Sequence, residues 1–241
     1  MLLSGATLEV VGALRPEIHG TTWSSVEEAA QATSALFVRE FASALLARVF
    51  VLVPFRSLPP AEQAFARELV NGDARLVAGT RVLALLGTAG KEPAWNDRRA
   101  SRGHLAIPLL DRSFVEGIPM IAALLAELEV DVSRLEAAPI ATRRLLGGKN
   151  GRFYVAEAAS ARDGQGRHVI AARDFVESHQ IKTVFGMGGA YMDGTLAVAI
   201  VFANEVVPAG VVDLFPSLIG NFKMATMELM TKGRIFAPAT T

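Results

Sequence analysis

The sequence predicts an α+β fold built on an antiparallel β-sheet. Three observations lead there. Apolar runs of strand length, "RVFVLVPF" and "TRVLALLGTAG", stop at proline or at glycines. Asp193-Gly194 stands between two apolar segments, the strongest short-range hairpin signal. The order of patterns is helix, strands, helices, strands, helix, without the strict strand–helix alternation of a parallel sheet.

The elements follow in order. "TTWSSVEEAAQATSALFVREFASALLAR" carries apolar residues at helical spacing, and Ser24 with Glu27 three residues on has the form of a capping box. "RVFVLVPF" reads as a buried strand ending at Pro54. "LPPAEQAFARELVNG" reads as a short helix, with proline near its start and Gly72 past its end. "TRVLALLGTAG" is a second strand, and "HLAIPL" a short third. "SFVEGIPMIAALLAELEVDVSRL" is helical from about Pro119. "RRLLGGKNGRFYVAEAASARDGQGRHV" holds a strand between turn-rich segments, and "AARDFVESHQI" a short helix. The last helix, "DLFPSLIGNFKMATMELMTKG", has Pro216 in its first turn and Gly233 beyond its end.

Composition narrows the function classes. An apolar fraction of 51% with 20% charged residues marks a globular chain with a sizeable core. Zero net formal charge gives no drive toward nucleic acid or an anionic membrane surface. Cysteine is absent, which excludes thiol nucleophiles, disulfides, zinc-thiolate and iron–sulfur sites. The N-terminus is a poor signal peptide, and the longest apolar runs fall short of a membrane span. The expectation is a soluble, cytoplasmic protein.

The stretch "TVFGMGGAYMDGTLAVAIVFANEVV" raises a phosphate-loop question that its pattern answers. Phosphate loops pass from a strand into a helix N-terminus. These glycines pass into a turn and a second strand, and Tyr191 occupies the third position of a G-x-G-x-x-G. With Asp193-Gly194 as a two-residue turn, Gly186, Gly188 and Ala190 share a face with Ala197, Ala199 and Val201. Phe185, Met187 and Tyr191 then share the other with Leu196, Ile200 and Phe202. The bulky face is expected to pack on helices. The bare one would accept either a close-packed helix or a ligand, since glycine in a strand permits close approach.

The densest polar chemistry is "EPAWNDRRASRGH", with Glu92, Trp95, Asn96, Asp97, Arg98, Arg99, Ser101, Arg102 and His104. Arginine grips carboxylate or phosphate in bidentate fashion, and tryptophan offers a stacking surface. The loop could hold an anionic or planar small molecule, or its acids could pair internally with its arginines. The four histidines are scattered, and neither H-E-x-x-H nor G-x-S-x-G occurs. Glu27 and Glu28 read as solvated helix-surface acids, and "RRLLGGKNGR" as a solvated basic loop.

"GKEPAWNDRRASRGHLAIPL" and "AARDFVESHQIKTVFGMGGAYMDGTLAVAIVF" resemble the GAF-like regulatory domains found beside histidine kinases and PAS modules in bacterial signalling proteins. The resemblance covers roughly residues 24–236 and implies a single domain over 1–241. It implies N- and C-terminal helices on one face of the sheet, with loops and short helices on the other around a small-ligand pocket. The functional expectation is a non-catalytic sensory domain binding a small molecule through Trp95, Asp97, Arg98, Arg99, His104, Gly186, Gly188, Ala190, Ala197 and Ala199. Signalling would run through the terminal helices. The stripe Phe215, Leu218, Ile219, Phe222, Ala225 and Leu229 would also pair with a second subunit as a homodimer. No kinase, receiver or PAS segment follows, so the signal would stay within the domain or pass to a separate signalling protein. Covalent bilin attachment is excluded because cysteine is absent; non-covalent haem through His104 or His179 has no motif to support it. The alternatives are an enzyme of the same fold using the Glu92–His104 loop, with Asp97 or Glu92 as base and His104 as acid, and an empty structural dimerisation module.

Overall fold

The computed structural model describes residues 1–128, 130 and 150–238. Its centre is a six-stranded, wholly antiparallel sheet in the order β3-β2-β1-β6-β5-β4. The strands are β1 (Ala44–Pro54), β2 (Arg81–Gly90), β3 (Ala106–Pro108), β4 (Asn150–Val155), β5 (Thr183–Ala190) and β6 (Leu196–Ala203). One face is covered by α1 (Leu8–His19), α2 (Val26–Glu40) and the C-terminal α8 (Pro216–Thr231). The other is covered by the short helices α4 (Arg112–Glu116), α5 (Pro119–Glu127) and α6 (Arg173–Ser178) and by loops. Two further helices lie in connections: α3 (Pro60–Leu69) between β1 and β2, and α7 (Ala209–Val212) between β6 and α8. The α+β class and the helix-on-one-face layering are as expected. Among the described residues, no helix is long and apolar enough to cross a membrane. Most of "RRLLGGKNGR" and the end of the helix expected after Pro119 lie outside the described residues.

Three local expectations need correction. The first helix ends at Glu40, not at Arg48, and β1 starts at Ala44. The "ALLARVFVLVP" run pairs with β2 on one side and β6 on the other, and this pairing overrides the helical pattern. The capping box is shifted by one residue. Ser25 is the N-cap, its Oγ accepting from Glu28 N at 3.1 Å, and the Glu28 carboxylate accepts from Ser24 N and Oγ at 2.8 and 2.6 Å. Glu27 is thereby left to point into the protein. An additional helix, α1, precedes α2, capped by Thr7 accepting from Val10 N.

The third correction is the hairpin register. Tyr191 N donates to Thr195 O at 2.7 Å, Gly194 N donates to Tyr191 O at 2.9 Å, and Gly194 has φ +82°. The connection thus has three residues, Met192-Asp193-Gly194, with glycine in the left-handed position. Relative to a two-residue turn, β6 slips by one residue and every one of its side chains changes face. Gly186 faces Ile200, Gly188 faces Val198 and Gly189 faces Ala197. Phe185 and Met187 share the helix-covered face with Ala197, Ala199 and Val201, while Val184 lies opposite with Leu196, Val198, Ile200 and Phe202. Each face therefore sets bulky residues of one strand against small residues of the other, and neither is bare.

On the helix side, Phe215 at the head of α8 meets Phe37, Phe41 and Phe185 with ring centroids 5.3–5.8 Å apart. Leu218, Ile219, Phe222 and Leu229 follow it into the same core. The stripe expected to pair with a second subunit is consumed inside the chain. The Tyr191 hydroxyl lies 2.7 Å from Thr226 Oγ1, and Lys223 Nζ donates to Ala190 O at 2.9 Å, tying the hairpin tip to α8. The helix layer lies tight on the sheet where a glycine allows it. A Cβ on Gly87 of β2 would fall on the backbone carbonyl of Ala30 in α2.

Candidate functional site

Among the described residues, no strand pairs with the outer side of β2 beyond Ala84, because β3 pairs only with Val82–Ala84. Side-chain amides take over that edge. Gln31 Nε2 donates to Thr88 O at 2.8 Å and Gln31 Oε1 accepts from Thr88 N at 3.1 Å. Asn96 does the same for Gly90, at 3.0 and 3.1 Å. Asn96 thereby pins the loop of residues 92–104 beside the sheet, helped by Thr88 Oγ1 donating to Trp95 O at 2.9 Å.

The middle of that loop is held by a buried ion cluster. Arg98 donates from Nε and Nη2 to the two Glu27 oxygens at 2.7 and 2.9 Å, and from Nη1 to Glu62 Oε1 at 2.6 Å. Arg98, Glu27 and Glu62 are 3%, 6% and 3% exposed. Burial opposes the charge on Arg98, but the bonds to Glu27 and Glu62 outweigh it and hold the guanidinium above its ordinary pKa. Arg99 adds a longer contact to Glu27 at 3.3 Å. Glu27 Oε2 also accepts from Ala237 N at 3.0 Å, while Val26 N and Glu27 N donate to the carbonyls of Arg234 and Ile235. One cluster thus joins the loop, the starts of α2 and α3, and the C-terminal segment.

The sheet-facing side of the loop borders a cavity of about 520 Å³, within the size range of small-molecule sites. Trp95, Asp97, Ser101, Arg102 and His104 line it from the loop, Leu46, Arg48 and Phe202 from the sheet, and Phe175 from α6. The rings form a connected wall. Trp95 meets Phe175 edge-on at 5.5 Å, and Phe175 meets Phe202 edge-on at 5.4 Å. His179 lies behind, its ring 4.7 Å from Trp95 and tilted 55° to it.

Of the residues singled out from the sequence, the fold brings Trp95, Asp97, Ser101, Arg102 and His104 to this cavity. Arg98 and Arg99 turn away to Glu27. Gly186, Gly188, Ala190, Ala197 and Ala199 are not among the residues lining it. Ala197 and Ala199 face the helices, and Gly188 is covered by Leu128, whose side chain fills the place a Cβ would take. Asp97, Arg98 and His104 therefore do not converge as an acid–base set. Burial and the neighbouring Arg48 charge push His104 down from 6.5 to about 4, so it is neutral at pH 7 and carries no proton to give as an imidazolium acid. Among the described residues, no group of histidine and carboxylate side chains is arranged to hold a metal ion.

The residue the sequence reading passed over is Arg48. Leu46, Arg48, Phe50 and Leu52 alternate along β1 on the cavity side, so a lone cation inside an apolar strand was the available signal. Its Nε is out of reach of water and has no hydrogen-bond partner, as is Ser101 Oγ. Burial lowers Arg48 to about 10, which leaves it charged at neutral pH.

No family model matches this chain, and no curated protein matches it. Among solved structures it is similar to the phycocyanobilin-bound GAF domain from a cyanobacterial phytochrome, with a TM-score of 0.46 and 11% identity over 95% of this chain and 98% of that one. It is also similar to the phycoerythrobilin-bound GAF domain from a cyanobacterial phytochrome, with a TM-score of 0.43 and 12% identity over 93% and 95%. Likenesses at this level carry nothing about ligand or activity.

Two outcomes follow. Arg98→Ala leaves Glu27 and Glu62 buried without their cation and should lower unfolding stability by about 3–5 kcal/mol. Replacing all three with apolar residues should cost less than that single change, as read by urea titration. His104 is held neutral in the folded chain but protonates near 6.5 when unfolded. The unfolded state therefore binds the extra proton, and stability should fall as pH drops from about 6.5 to about 4. That part of the slope should vanish in His104→Gln when denaturation is followed across this pH range.

Proposed function

We propose that this chain is a non-catalytic sensory or regulatory module of GAF-like type, one domain with its core over residues 24–236. It binds a small molecule in the cavity under the Trp95–His104 loop and passes occupancy to its terminal helices. The observation that carries this reading is that one short loop does both tasks. Ser101 and Trp95 border the cavity, and Arg98 between them grips Glu27 at the start of α2, where the C-terminal segment is also bound. A ligand that shifts the loop changes the terms on which α2 and residues 234–237 are held.

The module acts in the cytoplasm and signals to a separate protein or to a second copy of itself. A homodimer through the terminal helices would use the outer face of α8, where Met224 and Met227 are exposed, instead of the buried stripe.

Native mass spectrometry of the chain isolated from its own cells tests this. A small molecule should travel with the protein and be lost on denaturation. It should also be lost when Trp95→Ala or Phe202→Ala opens the ring wall, but kept in Met224→Ser. A chain that emerges at its bare mass contradicts the reading.

A further inference from the structure

The charge balance of the cavity points to the kind of molecule it accepts. Arg48 sits at the middle of the sheet, opposite Thr88 on β2 and Ile200 on β6. Its side chain lines the cavity with Nε sealed from water, and among the described residues no carboxylate pairs with it. A guanidinium in such a position is costly unless a partner arrives. The same fold supplies two carboxylates to the buried Arg98. Of Arg15 and Arg48, whose Nε atoms are both sealed from water without a partner, it is Arg48 that lines the cavity.

The other polar groups at the cavity leave that charge uncancelled. Asp97 and Arg102 are exposed at the rim and carry opposite charges. His104 is neutral at pH 7. Ser101 Oγ is buried without a partner and can donate a hydrogen bond. Apart from Thr88, the remaining walls are apolar, with Trp95, Phe175 and Phe202 set among aliphatic residues such as Leu46, Ile118 and Ile170. One half-buried cation matches one negative charge. A phosphate dianion would leave a surplus charge among apolar walls.

We infer that the cavity takes a small monocarboxylate with a flat apolar body, its carboxylate gripped by Arg48 and capped by the Ser101 hydroxyl, its body against Trp95 and Phe175. This inference rests on the cavity being a ligand site and adds the chemical class of the ligand.

Calorimetry on the full chain tests it with three probes: indole-3-acetate, its neutral counterpart indole-3-acetamide, and phenyl phosphate. The carboxylate should bind at least about tenfold tighter than the amide, as a charge-assisted bidentate pair does. It should also bind tighter than the phosphate. Arg48→Met should abolish that preference, and Arg48→Lys should keep part of it. The same Arg48→Met chain should emerge from cells without the co-purified molecule. It should also melt no lower than the unmodified protein, because no partner inside the protein is lost.

Amide and carboxylate binding alike, phosphate binding tightest, or a cellular ligand retained by Arg48→Met would each overturn the carboxylate class while leaving the cavity a ligand site. A lower melting temperature for ligand-free Arg48→Met would show a structural partner and overturn the assignment of Arg48. A chain that binds none of the probes and emerges from cells empty overturns both readings.

Discussion

The Arg98 ion cluster is the constraint on which the cavity side of this protein depends. Two carboxylates and a guanidinium are withdrawn from water together, and such a cluster persists only when every donor and acceptor is matched. Here the match is close: both Glu27 oxygens and one from Glu62 receive Arg98, and Glu27 also receives the Ala237 amide. A loop whose middle residue is held this firmly can have its flanking residues placed reproducibly. Trp95 lies before the anchor and Ser101 and His104 after it, and all three reach the same cavity. Arg98, expected from the sequence to touch a ligand, is instead paired with Glu27 and Glu62 and fixes the loop around it.

The sheet supplies the opposite wall through a different economy. Small residues on β5 face bulky ones on β6 on the cavity side, and the pattern inverts on the helix side. Each face keeps an even depth, so the helix layer can press close, as at Gly87, without leaving voids. The cavity opens over β1, β2 and the end of β6, where Arg48, Leu46 and Phe202 are overlain by the loop and α6 instead of a long helix.

Much of this architecture is legible in the residue pattern. Apolar runs ending at Pro54 and Gly90, and helix signals at Pro60 and Pro216, locate most elements because local propensity and tertiary packing agree there. Where they disagree, the pattern misleads by small steps with large effects. Asp193-Gly194 marks the turn, but a two-residue type I′ loop would need positive φ at both residues, and Asp193 does not adopt it; the three-residue loop that results decides which face carries Ala197 and Ala199. Ser24–Glu27 and Ser25–Glu28 are equally good capping boxes by spacing. Tertiary contact chooses the second because Arg98 needs Glu27. Trp95, Asp97 and His104 are recognisable from the chemistry of their loop. Arg48 is recognisable only once β1 is known to begin at Ala44, because a helix ending at Arg48 would leave that residue an ordinary C-terminal cation.

The central claim is that the cavity loop and the C-terminal segment are held by one shared anchor. Native-state hydrogen exchange on the ligand-free chain and its Arg98→Lys variant measures this directly. Lysine keeps the charge but cannot bridge Glu27 and Glu62 in the same geometry. The account predicts that amides of the loop over 97–102 and of the C-terminal segment over 234–237 accelerate together and by a similar factor. Faster exchange in the loop with the C-terminal segment unchanged would contradict it.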